Sequence, residues 1–229
     1  VEPAPGGWLT CLAYVVLYHA ACILGFAAWH WQVHGALNLA HLAVSTFCTI
    51  NLWICVCELA LLFFPSRVQA QAAAFEKRYG ARVLGPVFLF QKVRLREALS
   101  VKYWTIMWSN YAALDPSYVD TTTFGYIIDV CNGVTTLLPS MLFPAAATMQ
   151  WVKPEVLGMA GLIFFYQMAY GTVGYFVQFA LNKRYESLPA WQVWGVVVPA
   201  NGIWILFPAL GMWASVQLVA TRSYDMFCS

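Results

Sequence analysis

Five stretches of this chain are each apolar over the roughly 20 residues that a helix needs to cross a bilayer. They run from about Trp8 to Trp29, Leu37 to Phe64, Phe124 to Gln150, Glu155 to Leu181 and Gln192 to Ala220. Hydrocarbon offers no partners to backbone N–H and C=O groups, so such stretches must be helices that pair their own backbone. Composition points the same way. Of the 229 residues, 61% are hydrophobic and 10% charged, against roughly 25% charged in a soluble domain. The expected fold class is an all-α integral membrane protein, a five-transmembrane-helix bundle forming a single membrane domain over 1–229. The second, third and fifth spans exceed the minimum and are expected to tilt or project beyond the hydrocarbon. Trp8, Trp29, Trp31, Trp151, Trp191 and Trp194 stand near span ends, as an aromatic belt requires.

Between the second and third spans lies the only long polar segment, Pro65 to Thr123. Gln69 to Tyr79 reads as a short helix broken by Gly80, and Val83 to Phe90 as an apolar piece too short to span, lying on the membrane interface. With five spans, the N-terminus, this connector and the loop from Asn182 to Ala190 share one side of the membrane. That side carries every Lys and Arg except Lys153 and Arg222, which the positive-inside rule places on the cytoplasmic or equivalent face. A net charge of +2 with dispersed basic residues gives no nucleic-acid footprint. The seven cysteines fall mostly inside apolar runs, where they read as small packing residues. His19, His30, His34 and His41 show no metal-ligand spacing, so neither a metal nor a cofactor is expected. The opening residue, Val1, is compatible with a removed targeting peptide or with a truncated sequence.

Asp129, in the middle of the third span, is the residue hardest to explain as packing. A carboxylate at membrane depth is costly unless it is paired, neutralised or facing a cavity, which makes it a functional-site hypothesis by default. Asn132 stands three residues on, on the same helical face. Glu58 is a second such carboxylate. It lies within two turns of the end of the second span and is expected nearer to headgroup water than Asp129. Asn51 in the second span and Asn201 with Trp204 in the fifth add further polar groups. Pro199 and Pro208 flank the last two and are expected to bend that helix. One polar cavity among the second, third and fifth spans would satisfy all these groups. Before the third span, Trp108, Tyr111, Asp115 and Tyr118 are spaced three, four and three apart, as on one face of a helix. Asp115-Pro116 offers the alternative of a helix stop.

Three blocks carry a resemblance. The run from Met107 to Asp120, MWSNYAALDPSYVD, the frame Tyr170-Gly171-x-Val173-x-Tyr175-Phe176 and the pattern Asn201-x-x-Trp204-x-x-x-Pro208 resemble segments of the EXPERA family, in the family's order. They are similar to its emopamil-binding-protein branch of sterol isomerases. Cys57-Glu58-Leu59 with the following Phe-Phe-Pro is similar to its sigma-two receptor branch. The resemblance implies a five-helix bundle around a sterol-sized cavity, and an endoplasmic-reticulum membrane. It implies an acid–base pair, Asp129 and Glu58, that moves a ring double bond through a carbocation. It implies that Trp204 offers its π-face to that cation, with Asn201 as a hydrogen-bonding companion. Tyr111 and Tyr118 would line the cavity, and Asn132 and Asn51 stand at further ligand-side positions. The pattern departs from the family where the isomerases carry His-x-x-x-Glu, since Asn51 and Cys55 stand there instead.

Two functional readings follow. One is a protein that binds a sterol or other lipid within the membrane, possessing isomerase chemistry if the carboxylate pair is active. The alternative is a non-catalytic accessory subunit of a larger membrane complex in an organelle, with other subunits as partners. A transporter would be expected to show an inverted repeat or paired broken helices, and the sequence has neither.

Overall fold

The computed structural model describes residues 7–80 and 86–228. Short strands β1 (Leu9–Thr10) and β2 (Lys92–Val93) pair antiparallel, Leu9 opposite Val93. The long helices are α1 (Cys11–His34), α2 (Leu39–Phe63), α6 (Phe124–Met149), α7 (Pro154–Leu181) and a composite last span, Ala190–Thr221. That last span is α8 (Ala190–Gln192), a π-helical turn (Val193–Val197) and α9 (Val198–Thr221). All five are long and apolar enough to cross a membrane. The connector holds α3 (Pro65–Tyr79), α4 (Leu95–Ala98), α5 (Thr105–Tyr111) and three 3-10 turns, and α10 (Asp225–Cys228) closes the chain.

Local chemistry sets the helix ends. Gly35 takes a left-handed φ of 71° and its N–H bonds the Trp31 carbonyl at 2.8 Å, stopping α1. Asn38 accepts from the His41 N–H at 2.9 Å and so caps the start of α2. Helix α3 begins at Pro65, four residues before the expected Gln69. Proline's fixed φ suits a first helical turn, and its missing N–H is no loss there. It ends at Gly80 as expected. Part of the expected interfacial piece, 83–85, lies outside the described residues, and Val87–Phe90 is a 3-10 turn. The spacing of Trp108, Tyr111, Asp115 and Tyr118 does not become one helix face. Helix α5 ends at Tyr111, and Asp115 caps a 3-10 turn at Pro116–Val119, because the residue before proline is driven out of the helical region. Just ahead of Pro199 the last span carries the π-turn, and Pro208 lies inside α9 without ending it. Proline has no N–H to give the carbonyl four residues back and its ring crowds that turn.

The chain divides into two compact units, each built from parts of the long helices. The first comprises Val1–Leu17, Ile54–Val134 and Gly174–Ala200; the second comprises Tyr18–Trp53, Thr135–Val173 and Asn201–Ser229. The second has an aromatic core in which Phe47, Phe143, Phe165 and Phe227 are buried. Small residues set its helix spacing: a Cβ on Gly211 would stand 2.6 Å from the Phe165 ring. His30, His34 and His41 cluster at one end of this unit, His30 stacked on His41 at 4.0 Å. Among the described residues no group of His, Cys, Asp or Glu is arranged to hold a metal ion.

In the first unit α6 packs tightly on α2 at Gly133, where a Cβ would lie 2.6 Å from Glu58 Cβ and 3.3 Å from the Cys55 carbonyl. Any larger residue must push the two helices apart, and overpacking of this kind costs about 1–3 kcal/mol. Gly133→Val is therefore expected to lower the thermal unfolding midpoint in detergent, with Gly195→Val, which has open space around it, as the unaffected control. Equal midpoints for the two variants would contradict the close approach.

Candidate functional site

Helix α2 delivers Glu58 and α6 delivers Asn132 from opposite sides of the Gly133 contact. The Asn132 amide nitrogen donates to both carboxylate oxygens of Glu58, at 3.1 and 2.9 Å. Glu58 is 2% exposed, so the expectation that it sits nearer to water than Asp129 is corrected. The cause is the connector. Trp108 Nε1 donates to the Cys57 carbonyl at 2.7 Å, and Tyr126 donates its hydroxyl to the Leu61 carbonyl at 3.1 Å. These groups cover the last two turns of α2, and Tyr126 satisfies the Leu61 carbonyl, one of the last four that the helix itself leaves without a partner.

Asp129 lies one turn before Asn132 on α6, interacts electrostatically with Glu58 and stays half-buried. The Tyr118 hydroxyl donates to its carboxylate. Burial first, and then the Asp129 charge, push the Tyr118 phenol well above its usual range, so it remains a neutral donor. Trp108 stacks on Tyr118 with ring centroids 4.6 Å apart, and Tyr111 meets it edge-on at 5.2 Å. Tyr175 of α7 interacts electrostatically with both Asp129 and Tyr111. The result is two carboxylates with aromatic side chains around them. Among the described residues the ion pairs are Arg184–Asp115 and Lys183–Glu186, so neither Glu58 nor Asp129 is matched by a lysine or arginine.

The turn that carries Tyr118 is itself pinned. Asp115, fully buried, accepts from the Ser117 N–H at 2.9 Å and the Ser117 hydroxyl at 2.6 Å. Arg184, from the loop after α7, donates to Asp115 and, at 2.6 Å, to Ser117 Oγ. Arg184 was not singled out in the sequence. It lies 69 residues from Asp115, and no local pattern announces the pair. Trp108 and Tyr175 were legible as members of the resemblance blocks but not as neighbours of the carboxylates.

Asn51, Trp204 and Asn201 belong to the second unit. Asn51 is fully buried and donates to Thr136 Oγ1 and Ser140 Oγ, each at 2.8 Å, while Trp204 Nε1 donates to its carbonyl oxygen at 3.1 Å. Trp204 also packs edge-on against Phe47 at 6.0 Å. This arrangement joins α2, α6 and α9 by hydrogen bonds between side chains, the usual work of intramembrane amides. The Trp204 ring and Asn201 are each half-buried.

No family model, curated protein or solved structure matches this chain. The architecture defines a class, an all-α protein with five membrane-length apolar helices and a membrane-embedded character. What the site does rests on its own geometry.

Proposed function

We propose that the Glu58–Asp129 site binds a sterol or similar lipid and can move a ring double bond by proton transfer. The observation that supports this reading most is the carboxylate pair itself. Two acidic side chains, brought together from α2 and α6 at membrane depth, have no lysine or arginine partner among the described residues and lie among Trp108, Tyr111, Tyr118 and Tyr175. Buried charge without a counter-ion is expensive. A site of this kind gains most from an apolar ligand that is, or becomes, a cation, because carboxylates and aromatic faces both attract positive charge.

Isomerisation fits these groups and balances. One carboxylic acid protonates an alkene carbon, the cation forms at its neighbour, and a carboxylate removes a proton from the adjacent carbon. One proton enters and one leaves. Asp129, which keeps exposure and is oriented by Tyr118, is assigned the proton transfers to and from the ligand. Glu58, held on both oxygens by Asn132, is assigned the stabilising negative charge, while Asp129, left as a carboxylate once it has given its proton, takes the second one and is restored. Residence in the endoplasmic-reticulum membrane belongs to this proposal, through the resemblance to sterol isomerases.

The test is binding and turnover by protein reconstituted in lipid vesicles. A cationic amine sterol analogue should bind more tightly than its neutral isostere by about 10-fold or more, the scale of one desolvated cation–π or charge contact. Equal affinity for the two would remove cation recognition from this site.

A further inference from the structure

The first unit contains a groove outside the carboxylate site. It has a volume of about 440 Å³ and runs between the end of α7 and the start of the last span. Phe176, Phe179 and Ala180 line it from α7; Val193, Trp194 and Val198 line it from the last span. The α7 residues are spaced three and four apart, one face of a helix. Ala190 also lines the wall from the last span, and the π-turn Val193–Val197 contributes two of its four residues. A π-turn interrupts regular helix packing and is found often at functional sites. We propose that this groove holds one acyl chain of an anionic bilayer phospholipid, with its phosphate at the level of Lys183.

Three observations select that occupant. The first is depth. Phe176 lies five residues below Leu181, the last residue of α7, so at 1.5 Å per residue the groove descends roughly 8 Å from the helix end into hydrocarbon. The second is polarity. Its walls are mainly apolar, and Tyr185 and Leu188 close it at the loop end. Tyr185, Trp191 and Trp194 are all exposed and follow closely on the end of α7 in sequence, where a headgroup boundary favours such side chains. The third is charge. The Lys183 side chain is 68% exposed and its contact to Glu186 is 3.8 Å. An ion pair so open contributes little, and Lys183 is free to exchange it for a phosphate. The groove thus has the order of an amphiphile, an aromatic hydroxyl at the loop end and hydrocarbon walls below, with the exposed cation Lys183 in the same loop, between lining residues Ala180 and Tyr185.

The experiment uses the full chain reconstituted in bilayers of phosphatidylglycerol and phosphatidylcholine, released gently and weighed by native mass spectrometry. Wild type should retain one phosphatidylglycerol per chain in preference to phosphatidylcholine. Ala180→Trp fills the groove and should cut that retention at least 10-fold; Val177→Trp, on an exposed α7 position that does not line it, should not. Lys183→Glu should keep the bound chain but lose the headgroup preference. A second reading avoids dependence on variant folding. Phospholipid brominated on its chains should quench the fluorescence that wild type has and Trp194→Phe lacks. Unchanged retention in Ala180→Trp, no quenching of the Trp194 contribution, or a sterol or detergent molecule in place of phospholipid would each overturn the proposal.

Discussion

If the proposed isomerisation is this site's reaction, Asp129→Asn is expected to lower it by about 10²- to 10⁴-fold, the range that a positioned general acid or base contributes. The substitution keeps the shape of the side chain and an oxygen that accepts from Tyr118, so the site should remain assembled. What it removes is the ability to take and return a proton. The fold is the internal control: Asp129 is half-buried and its hydrogen bond to Tyr118 is neutral-compatible, so the unfolding midpoint should stay near wild type. A folded Asp129→Asn protein that turns over sterol at the wild-type rate would exclude Asp129 as the proton carrier. Glu58→Gln differs in kind. The amide can still accept from Asn132 through its oxygen, but its NH2 meets the other Asn132 donor and one of the two hydrogen bonds is lost.

Arg184→Met is expected to be the most destabilising single change outside the membrane spans. Asp115 has no exposed surface, and the Arg184 guanidinium, 14% exposed, is its only cation among the described residues. Removing one partner of a buried pair leaves the other charge uncompensated, at a cost of about 3–5 kcal/mol. In a chain of this length that corresponds to a fall of roughly 10 °C in unfolding temperature. The double variant Asp115→Asn/Arg184→Met removes both charges and should recover much of the loss, since replacing a buried pair outright is far cheaper than breaking it. Thermal unfolding of wild type and the two variants measures this, and an Arg184→Met protein as stable as wild type would show that the pair carries no stability. The effect should reach the site as well. Asp115 caps the turn that aims Tyr118 at Asp129, so a folded Arg184→Met protein should bind the amine sterol analogue more weakly.

The helices were legible in the sequence because hydrocarbon leaves the backbone one solution, and the length of an apolar run reports it directly. Their ends moved by a few residues, where capping by Asn38 or a left-handed Gly35 decides and hydropathy does not. Asp129, Glu58 and Asn132 stood out for the same reason, as polar groups in a place that penalises them. Their arrangement was only half readable. Spacing placed Asp129 and Asn132 on one helix face, but that Asn132 holds Glu58 depends on the close approach of α6 and α2 at Gly133. The connector was read least well. Beyond α3 its pieces are short, the helical spacing of Trp108, Tyr111, Asp115 and Tyr118 is broken before Pro116, and partners far along the chain order it, Cys11 for Gln91, Gln71 for Thr105 and Ser109, Arg184 for Asp115. For the same reason Glu58 was expected near water, whereas Trp108 and Tyr126 cover that end of α2. The histidine cluster was missed because His41 joins His30 and His34 only across the turn between two helices.

The most direct measurement is mass spectrometry of the protein purified in mild detergent, identifying its bound lipids and any associated proteins together. A sterol retained by wild type and lost on Asp129→Asn, with no fixed set of partner proteins, is the result expected of a ligand site built around Glu58 and Asp129. A constant set of partner subunits with no sterol would contradict it, and would mean that the bundle serves as structure in a larger membrane assembly.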